Sequence, residues 1–412
     1  MKLFKNRGRL TLVAAMGVVL AGIVFVLSNP AFAQGTNLVY LESNIGSLPN
    51  MNSVFVFSND GAGNLTQITG SPFLTSGTGW YDPGLETTSI DTDHALIIDP
   101  AGSNLYAVNA DSDTISGFSI GTGGALTLTT NPPLGSGGKE PQSLSLSFDL
   151  LHNGYSVLVV ANKDNDPNQT GGVPNIQTAT VNGQGTIKPV PHSKISFDAG
   201  DYLGSVNATP LAPQYVFGIQ LAGGSLLFSY KIVSLGKMLE VSSIGPPNNP
   251  DDQFLGIAFH PTQKVMYVGI PSADMIGVYT YSATGTLTFV TEVSNPGDSP
   301  CWFAINAAGT VLYSAESGTG TLTVYDTTNA LAPVQVQHVT LSNQPQRATD
   351  IKIDPTGNFL YSLGVANTNE LGSPYLHVFS ISQIDGTLTE LTPVALPVAQ
   401  LEHPQGLAVL MQ

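Results

Sequence analysis

The feature that most constrains this chain is a repeated block of four short apolar segments. One copy spans residues 256–293, with turn sequences such as Pro-Ser-Ala-Asp and Ala-Thr-Gly between its segments. The segments lie at 256–259, 265–268, 276–281 and 287–290. Each is alternating or wholly apolar, which is typical of a half-buried or buried β-strand. The block therefore predicts a four-stranded antiparallel sheet.

The same block recurs along the whole chain. Clear copies cover 95–129, 302–325 and 351–391, and degenerate copies cover 157–190 and 215–241. Tyr267, Tyr313 and Tyr361 mark the second strand at spacings of 46 and 48 residues. Tyr40 and Tyr106 mark it in the two earliest copies. Seven such units without helical periodicity predict an all-β fold, a seven-bladed β-propeller of four-stranded antiparallel blades.

The two ends of the chain complement each other. The first copy begins with what should be its second strand, at residues 37–41, and lacks an innermost strand. Residues 404–410 match an innermost strand and have no further strands after them. We therefore predict that the C-terminal strand joins the N-terminal blade, which closes the ring and removes two free sheet edges.

The repeat motifs resemble those of the lactonase family of seven-bladed propellers, which includes 6-phosphogluconolactonase-like and muconate cycloisomerase-like proteins. They are an Asp-Pro-x-Gly-x-x-Leu-Tyr turn, a third strand of the type Ser/Thr-Ile/Leu-x-x-Phe/Tyr, and a Gly-x-Leu fourth strand. The resemblance covers residues 34–412. It implies opening or closing of a sugar-acid-type lactone without a metal or organic cofactor, by His, Glu and Arg residues on one face. The best local match to that face is the run 344–347, Gln-Pro-Gln-Arg, and no His-x-His segment is present.

The N-terminus has the order of residues found in a secretory signal peptide. Four basic residues precede an apolar run over about residues 10–27, and Ala31-Phe32-Ala33 then forms a small-x-small cleavage site. We therefore predict a signal peptide over 1–33, a propeller over 34–412 and a secreted or periplasmic location. A retained membrane anchor is the alternative, because the apolar run is near the minimum length that spans a bilayer.

Cleavage would leave a strongly acidic protein. Four of the 13 Lys and Arg residues lie in the signal, so nine remain against 29 Asp and Glu. A surface this acidic repels phosphate backbones, so no nucleic-acid partner is expected. Cys301 is the only cysteine, so no intrachain disulfide forms and stability must come from the apolar core. We expect a monomer without a membrane span after cleavage.

Candidate site residues lie in the loops that lead into the innermost strands, because these loops form one rim of the channel. His94 and His403 are candidate general bases, and Glu402 would orient the imidazole. Arg347, the only arginine of the mature chain, suits a substrate carboxylate. The other substrate-binding candidates are the acidic rim residues Asp93, Glu140, Asp298 and Asp350.

Each candidate also has a structural interpretation. Most rim residues would be solvated loop residues, Arg347 would form an ion pair with Asp350, and the rim histidines would be hydrogen-bonded without a catalytic role. His377 lies on a third strand beside Val378 and is interpreted as a packing residue.

No metal or organic cofactor is predicted, and the alternative is a Ca²⁺ ion held by the carboxylates of the acidic rim, since this ion prefers carboxylate and carbonyl oxygens. The run Asp164-Asn165-Asp166 with Asn168 resembles a calcium loop, but it lacks the glycine and the closing glutamate that such loops need. Gly-x-Ser-x-Gly, His-Glu-x-x-His and phosphate-binding glycine motifs are absent from the sequence.

Two functions therefore remain open at the level of the sequence. The first is an exported lactonase-like hydrolase of a sugar-acid lactone. The second is a non-catalytic secreted or surface propeller that binds a carbohydrate, a peptide or a protein partner.

Overall fold

The computed structural model of the protein describes residues 35–81, 93–147, 155–164, 172–212, 214–222, 224–233, 236–365 and 372–412. These residues form seven antiparallel sheets arranged in a ring, so the predicted seven-bladed propeller is confirmed. The predicted signal peptide lies outside the described residues. Within them, the helices are three short 3-10 turns at Thr122–Gly124, Pro271–Ala273 and Gln400–Glu402. None of the described helices has the length and apolarity to cross a bilayer.

In blades 2 to 7 the strands run from the channel outward in chain order, whereas the innermost strand of blade 1 is the last strand of the chain. Blade 1 contains β1 (Asn37–Glu42), β2 (Ser53–Asn59), β3 (Leu65–Gln67) and β4 (Phe73–Leu74). Blade 2 contains β5 (Leu96–Ile98), β6 (Asn104–Asn109), β7 (Thr114–Ile120), β8 (Leu126–Leu128) and β9 (Leu134–Gly135). Blade 3 contains β10 (Pro141–Ser147), β11 (Tyr155–Asn162), β12 (Asn175–Asn182), β13 (Ile187–Pro189) and β14 (Ile195–Ser196).

The remaining blades follow the same order. Blade 4 contains β15 (Tyr202–Ala208), β16 (Tyr215–Ala222), β17 (Leu226–Ile232) and β18 (Met238–Ile244). Blade 5 contains β19 (Leu255–Phe259), β20 (Val265–Ile270), β21 (Met275–Tyr281) and β22 (Leu287–Ser294). Blade 6 contains β23 (Pro300–Ile305), β24 (Val311–Glu316), β25 (Thr321–Asp326) and β26 (Val334–Thr340). Blade 7 contains β27 (Arg347–Ile353), β28 (Phe359–Val365), β29 (Tyr375–Ile381), β30 (Leu388–Glu390) and β31 (Val394–Ala395). In blades 1, 2, 3 and 7 the outermost strand is split into two short segments that pair with the same neighbour.

The C-terminal strand β32 (Gln405–Met411) completes blade 1, which confirms the predicted closure. It pairs antiparallel with β1, with Leu38 opposite Leu410 and Tyr40 opposite Ala408. Leu407 is fully buried and packs in one apolar cluster with residues of blade 7, among them Tyr361. The closing strand is therefore held both by its hydrogen-bond ladder and by burial between the first and last blades.

Buried tyrosines of the second strand connect neighbouring blades. The Tyr267 hydroxyl donates to the carbonyl of Ala330 at 2.9 Å, and the Tyr313 hydroxyl donates to the carbonyl of Gly386 at 2.9 Å. In each case the acceptor belongs to the next blade. A buried hydroxyl needs such a partner, because leaving it unsatisfied costs free energy. Tyr267 and Tyr313 therefore each connect their own blade to the next one.

Candidate functional site

Among the innermost strands that carry a β-bulge, three have a bulged residue with a positive φ angle. The bulged residue is Gly256 in β19, Gly406 in β32 and Asp350 in β27, and each is skipped in the register with the neighbouring strand. Their φ angles are 69°, 84° and 40°. Glycine adopts this left-handed region freely, whereas a side chain makes it costly. An aspartate at such a position indicates that its carboxylate has a role there.

The Asp350 carboxylate connects the last blade to the closing strand. Its Oδ2 atom accepts the backbone N–H of Leu407 at 2.7 Å, and its Oδ1 atom accepts the Lys352 ammonium at 2.7 Å. Leu407 directly follows the Gly406 bulge, where the ladder of β32 is interrupted. Asp350 is buried, so the sequence-predicted substrate ligand is occupied by contacts within the protein.

A second carboxylate makes the equivalent contact across the ring. Asp93 precedes β5 in blade 2, and its carboxylate receives the N–H of Ile257, which follows the Gly256 bulge in blade 5. Burial raises the pKa of Asp93 to about 6, although the Lys352 charge acts in the opposite direction. Asp93, Asp350 and Lys352 thus form one charged cluster between the innermost strands of different blades.

His94 borders this cluster. Its Nδ1 atom lies 3.6 Å from Asp93 Oδ1, which is too long for a hydrogen bond. Burial, together with the Lys352 charge, lowers the pKa of His94 to about 3. The ring is therefore neutral at physiological pH and a weak base.

The sequence did not single out Lys352, which lies two residues after Asp350 on the same strand. Burial opposes its charge, but Asp350 and Asp93 outweigh that effect and raise the pKa of the ammonium above its usual value. The spacing of two along a strand, which places both side chains on one face, was the available signal.

A cavity of about 480 Å³ opens on the face from which the chain enters the innermost strands of blades 5 to 7. Its apolar wall includes Leu255 and Trp302. The rest is mainly hydroxyls and amides, from Gln253, Ser272, Ser299, Ser317, Thr319, Gln344, Gln346 and Thr349. Arg347 is the single charged side chain among the described lining residues.

Arg347 begins β27 and is half-buried. Within the part of the chain that the structure describes, its guanidinium forms no ion pair. Asp350, the acid proposed as its structural partner, pairs with Lys352 instead. Arg347 thus lines the cavity, and no described carboxylate pairs with its guanidinium.

The remaining predicted residues lie in different surroundings. Asp298 borders the cavity, where its carboxylate accepts the hydroxyl of the lining residue Ser299 at 2.9 Å. Glu140 is buried and accepts the side-chain amide of Gln142 at 3.1 Å.

The predicted pair Glu402 and His403 lies just before β32 and contacts the loop that follows β1. The Glu402 carboxylate accepts the backbone N–H of Gly46 at 2.9 Å and also contacts Ser47. The His403 ring is buried and lies against Trp80, with ring centroids 4.6 Å apart. The contacts of Glu402 therefore fasten this loop, and the His403 ring is covered by an aromatic side chain.

Among the described residues, no three His, Cys, Asp or Glu side chains are grouped closely enough to hold a metal ion. Of the calcium-like run, Asn165, Asp166 and Asn168 lie outside the described residues.

Comparison with known proteins agrees with the geometry. Residues 227–338 match the family described as "Lactonase, 7-bladed beta-propeller", and they extend from β17 in blade 4 to β26 in blade 6. The segment from blade 4 to blade 6 is thus similar to lactonase-type propellers. No match was found among curated protein sequences.

Solved structures similar to this propeller cover nearly its whole length. A periplasmic gluconolactonase from Pseudomonas aeruginosa aligns with a TM-score of 0.67 at 16% identity, over 91% of this chain and 99% of that one. A candidate 6-phosphogluconolactonase from Bacteroides fragilis aligns with a TM-score of 0.65 at 16% identity, over 93% and 100%. Identities this low show a common fold, which by itself does not assign an activity.

The propeller also contains a hydrogen-bonded chain of side chains that sequence reasoning missed. His377, interpreted from sequence as packing, is buried and bonded through both ring nitrogens, to Glu390 at 2.6 Å and to Gln346 at 2.7 Å. Phe379 pairs with Glu390 between β29 and β30, which places His377 diagonally opposite the same carboxylate. Gln346 precedes Arg347, so this chain ends at the cavity.

Proposed function

We propose that this lactonase-type propeller binds and hydrolyses an aldonolactone, the lactone of a sugar acid, in the cavity lined by Arg347. The observation that carries the proposal is the Arg347 guanidinium, which lacks an ion-pair partner among the described residues and faces a lining of hydroxyls and amides. A planar guanidinium recognises a carboxylate and stabilises a developing oxyanion. Hydroxyl and amide groups suit the hydroxyls of a sugar acid.

In the proposed reaction, water adds to the carbonyl carbon of the lactone and the ring C–O bond breaks. The ring oxygen takes up a proton from the attacking water and becomes a hydroxyl group of the ring-opened product, which is an aldonate. Arg347 stabilises the oxyanion first and the product carboxylate afterwards. Trp302 provides an apolar wall for the sugar ring.

Water activation requires a base within reach of the cavity. We assign this role to Asp298, because its carboxylate is exposed and hydrogen-bonded to the lining residue Ser299. His94 is a weaker candidate because its pKa is lowered to about 3, and His403 is a weaker candidate because its ring is buried.

The proposed substrate carries no phosphate. A phosphorylated sugar acid would call for several cations, whereas the described lining provides Arg347 alone. The similarity to a periplasmic gluconolactonase supports the uncharged lactone, since that protein's name refers to an unphosphorylated substrate.

The test is acid release from a panel of aldonolactones and phosphorylated aldonolactones, followed by pH-stat. We expect Arg347→Ala to lower kcat/KM by about 10²-fold, the usual loss when one oxyanion-stabilising group is removed. Asp298→Asn should lower kcat with little change in KM. Lys188→Ala is the matched control, because it removes one positive charge from the exposed outer strand β13. Acid release equal to that of buffer would reject the enzyme, and equal rates in Arg347→Ala and Lys188→Ala would reject the site.

Binding without turnover is the second candidate function. It is favoured by one observation, that the described lining contains no His, Asp or Glu to act as a base. Calorimetric titration with gluconate distinguishes the two. Binding that is lost in Arg347→Ala, combined with an absence of acid release, would assign the cavity to ligand capture.

We also propose that the protein is exported. The compact unit begins at Thr36, just after the predicted cleavage site, so removal of residues 1–33 would leave it intact. N-terminal sequencing of protein recovered from the periplasm or medium should start at Gln34. A full-length chain in the membrane fraction would instead support the retained anchor.

A further inference from the structure

The wall of the cavity beside Arg347 is backed by a chain of three buried or half-buried polar groups. His377 Nδ1 lies 2.6 Å from Glu390 Oε1, and His377 Nε2 lies 2.7 Å from Gln346 Oε1. The His377 ring is fully buried, and Gln346 is nearly so. Glu390 is further fixed by Ser342, whose backbone N–H and hydroxyl donate to its two oxygens at 3.0 and 2.9 Å.

The hydrogen-bond partners determine which atoms carry protons. The Gln346 amide nitrogen donates to the carbonyl of Asn343 at 3.0 Å, so its oxygen faces His377. A flipped amide would place two acceptors against each other. His377 Nε2 must therefore donate. The Glu390 carboxylate accepts from Ser342 as well, and burial is outweighed by its hydrogen bonds, so its pKa is lowered and it is ionised. His377 Nδ1 faces this carboxylate at 2.6 Å.

The neighbouring strand leaves space for this arrangement at one glycine. A β-carbon on Gly364 would lie 1.9 Å from the Gln346 amide oxygen and 2.5 Å from His377 Nε2. Any other residue at this position would displace the two groups. The glycine therefore permits a close approach of Gln346 to His377 that no larger side chain would allow.

The short segment 344–347 is held by hydrogen bonds of Gln344 and Gln346. The Gln346 backbone N–H donates to the Gln344 side chain at 2.8 Å, and the Gln344 amide donates to the carbonyls of Gly320 and Leu341. Arg347 follows directly, and its side chain has no partner of its own among the described residues. Its position at the cavity wall thus depends on how firmly Gln346 is held.

We propose that His377 and Glu390 are positioning residues for the cavity: the His377 ring, held by the carboxylate, fixes Gln346, and this fixes Arg347 at the wall where the ligand anion binds. The role of the cavity rests on the proposed function. The positioning itself is tested without any ligand.

The first experiment uses the fact that Arg347 is the only arginine after residue 9. Phenylglyoxal modifies arginine, and peptide mass spectrometry follows its rate at Arg347 in the full chain. His377→Phe keeps an aromatic ring but removes both ring nitrogens, with their hydrogen bonds to Glu390 and Gln346. We therefore expect the labelling rate at Arg347 to rise about threefold or more. His377→Gln retains a donor toward Gln346 and should stay near the wild-type rate.

His338→Phe is the matched control. His338 is an exposed histidine of the outer strand β26, bonded to Thr323 at 3.0 Å, and has no contact with the segment 344–347. It should leave the labelling rate unchanged. If His377→Phe does not fold, as judged by circular dichroism, Glu390→Gln replaces it with the same expectation. An unchanged labelling rate in a folded His377→Phe or Glu390→Gln protein would overturn the proposal.

The second experiment tests whether His377 affects ligand binding through Gln346. Gln346→Ala and His377→Phe are combined in a double-mutant cycle, with KM or the gluconate Kd as the readout. If His377 acts through Gln346, the double variant should be no weaker than Gln346→Ala alone, and kcat should change less than KM. Additive losses would overturn the positioning role.

The two proposals fail in different ways. A wild-type protein that neither binds nor hydrolyses aldonolactones would reject the proposed function, while the labelling result would still decide the positioning of Arg347. Normal turnover with unchanged labelling in the variants would reject the positioning and leave the function standing.

Discussion

Replacing Asp350 by alanine and by glycine separates a side-chain effect from a backbone effect at the closure of the ring. Both variants lose the contact with the Leu407 N–H at 2.7 Å and the contact with Lys352 at 2.7 Å. Only alanine keeps a β-carbon at a φ of 40°. The two variants therefore share one loss and differ in backbone strain.

The size of the shared loss follows from the two contacts. A hydrogen bond to a charged acceptor contributes about 1.5–3 kcal/mol. Removing one partner of a fully buried ion pair costs about 3–5 kcal/mol. The Lys352 side chain keeps 21% of its surface exposed, and Asp93 remains nearby, so the second cost falls well below that range. We expect Asp350→Ala to lower the free energy of unfolding by about 3 kcal/mol.

The backbone effect makes the glycine variant more stable than the alanine variant. A left-handed alanine costs about 1–2 kcal/mol, and the greater freedom of glycine in the unfolded chain offsets about 0.4–1 kcal/mol of this. Asp350→Gly should therefore be more stable than Asp350→Ala by about 0.5–1 kcal/mol. Glycine already occupies the matching bulges at Gly256 and Gly406.

Urea unfolding measures both differences. The two tryptophans, Trp80 and Trp302, are buried and report on blades 1 and 6, and circular dichroism reports on the sheets. Coincident transitions and equal m-values allow the midpoints to be compared as free energies. Lys352→Met added to Asp350→Gly should change the free energy of unfolding by less than about 1 kcal/mol, because the Lys352 charge is removed but Asp93 loses its partner. The reasoning is refuted if Asp350→Ala unfolds within about 0.5 kcal/mol of wild type, or if the alanine variant is the more stable one.

Three further predictions concern buried residues. Burial raises the pKa of Glu316 to about 7 from about 4.5, so its contribution to stability is full below the lower value and is lost as pH rises through the higher one. Glu316→Gln should flatten this slope in urea titrations, and an unchanged slope would contradict the assignment. Tyr313→Phe removes the hydrogen bond to Gly386 and should cost about 1 kcal/mol, whereas a wild-type midpoint would show that the bond does not stabilise the blade contact. Leu407→Ala should cost about 2–5 kcal/mol and speed proteolysis of the C-terminal strand, because the side chain is fully buried between two blades. Unchanged protease resistance would argue against closure by β32.

The strands were predictable because their signal is local. Alternation of apolar residues over four to six positions determines which side of a strand is buried, and turn residues determine where it ends. The block 256–293 therefore gave β19 to β22 within a few residues of their ends. The missing strand at one end and the surplus strand at the other were also visible, which is why the pairing of β1 with β32 was predicted.

The partners of the polar residues were not predictable, because they depend on how blades face one another. Asp350 was grouped with Arg347 on the rim, but the bulge turns it toward Lys352 and the closing strand. His377 looked like packing because its partners are distant in sequence, 13 residues away at Glu390 and 31 away at Gln346.

The sequence alone thus determined the number of blades, the strand order and the closure, since periodicity and chain order are properties of the chain itself. Only the tertiary structure decided that Arg347 lines a cavity without an ion-pair partner among the described residues, while Asp350 and Asp93 are held inside the ring. The physical reason is that a charge pairs with the group nearest in space, and bulges one residue long redirect side chains between strands that are far apart in sequence.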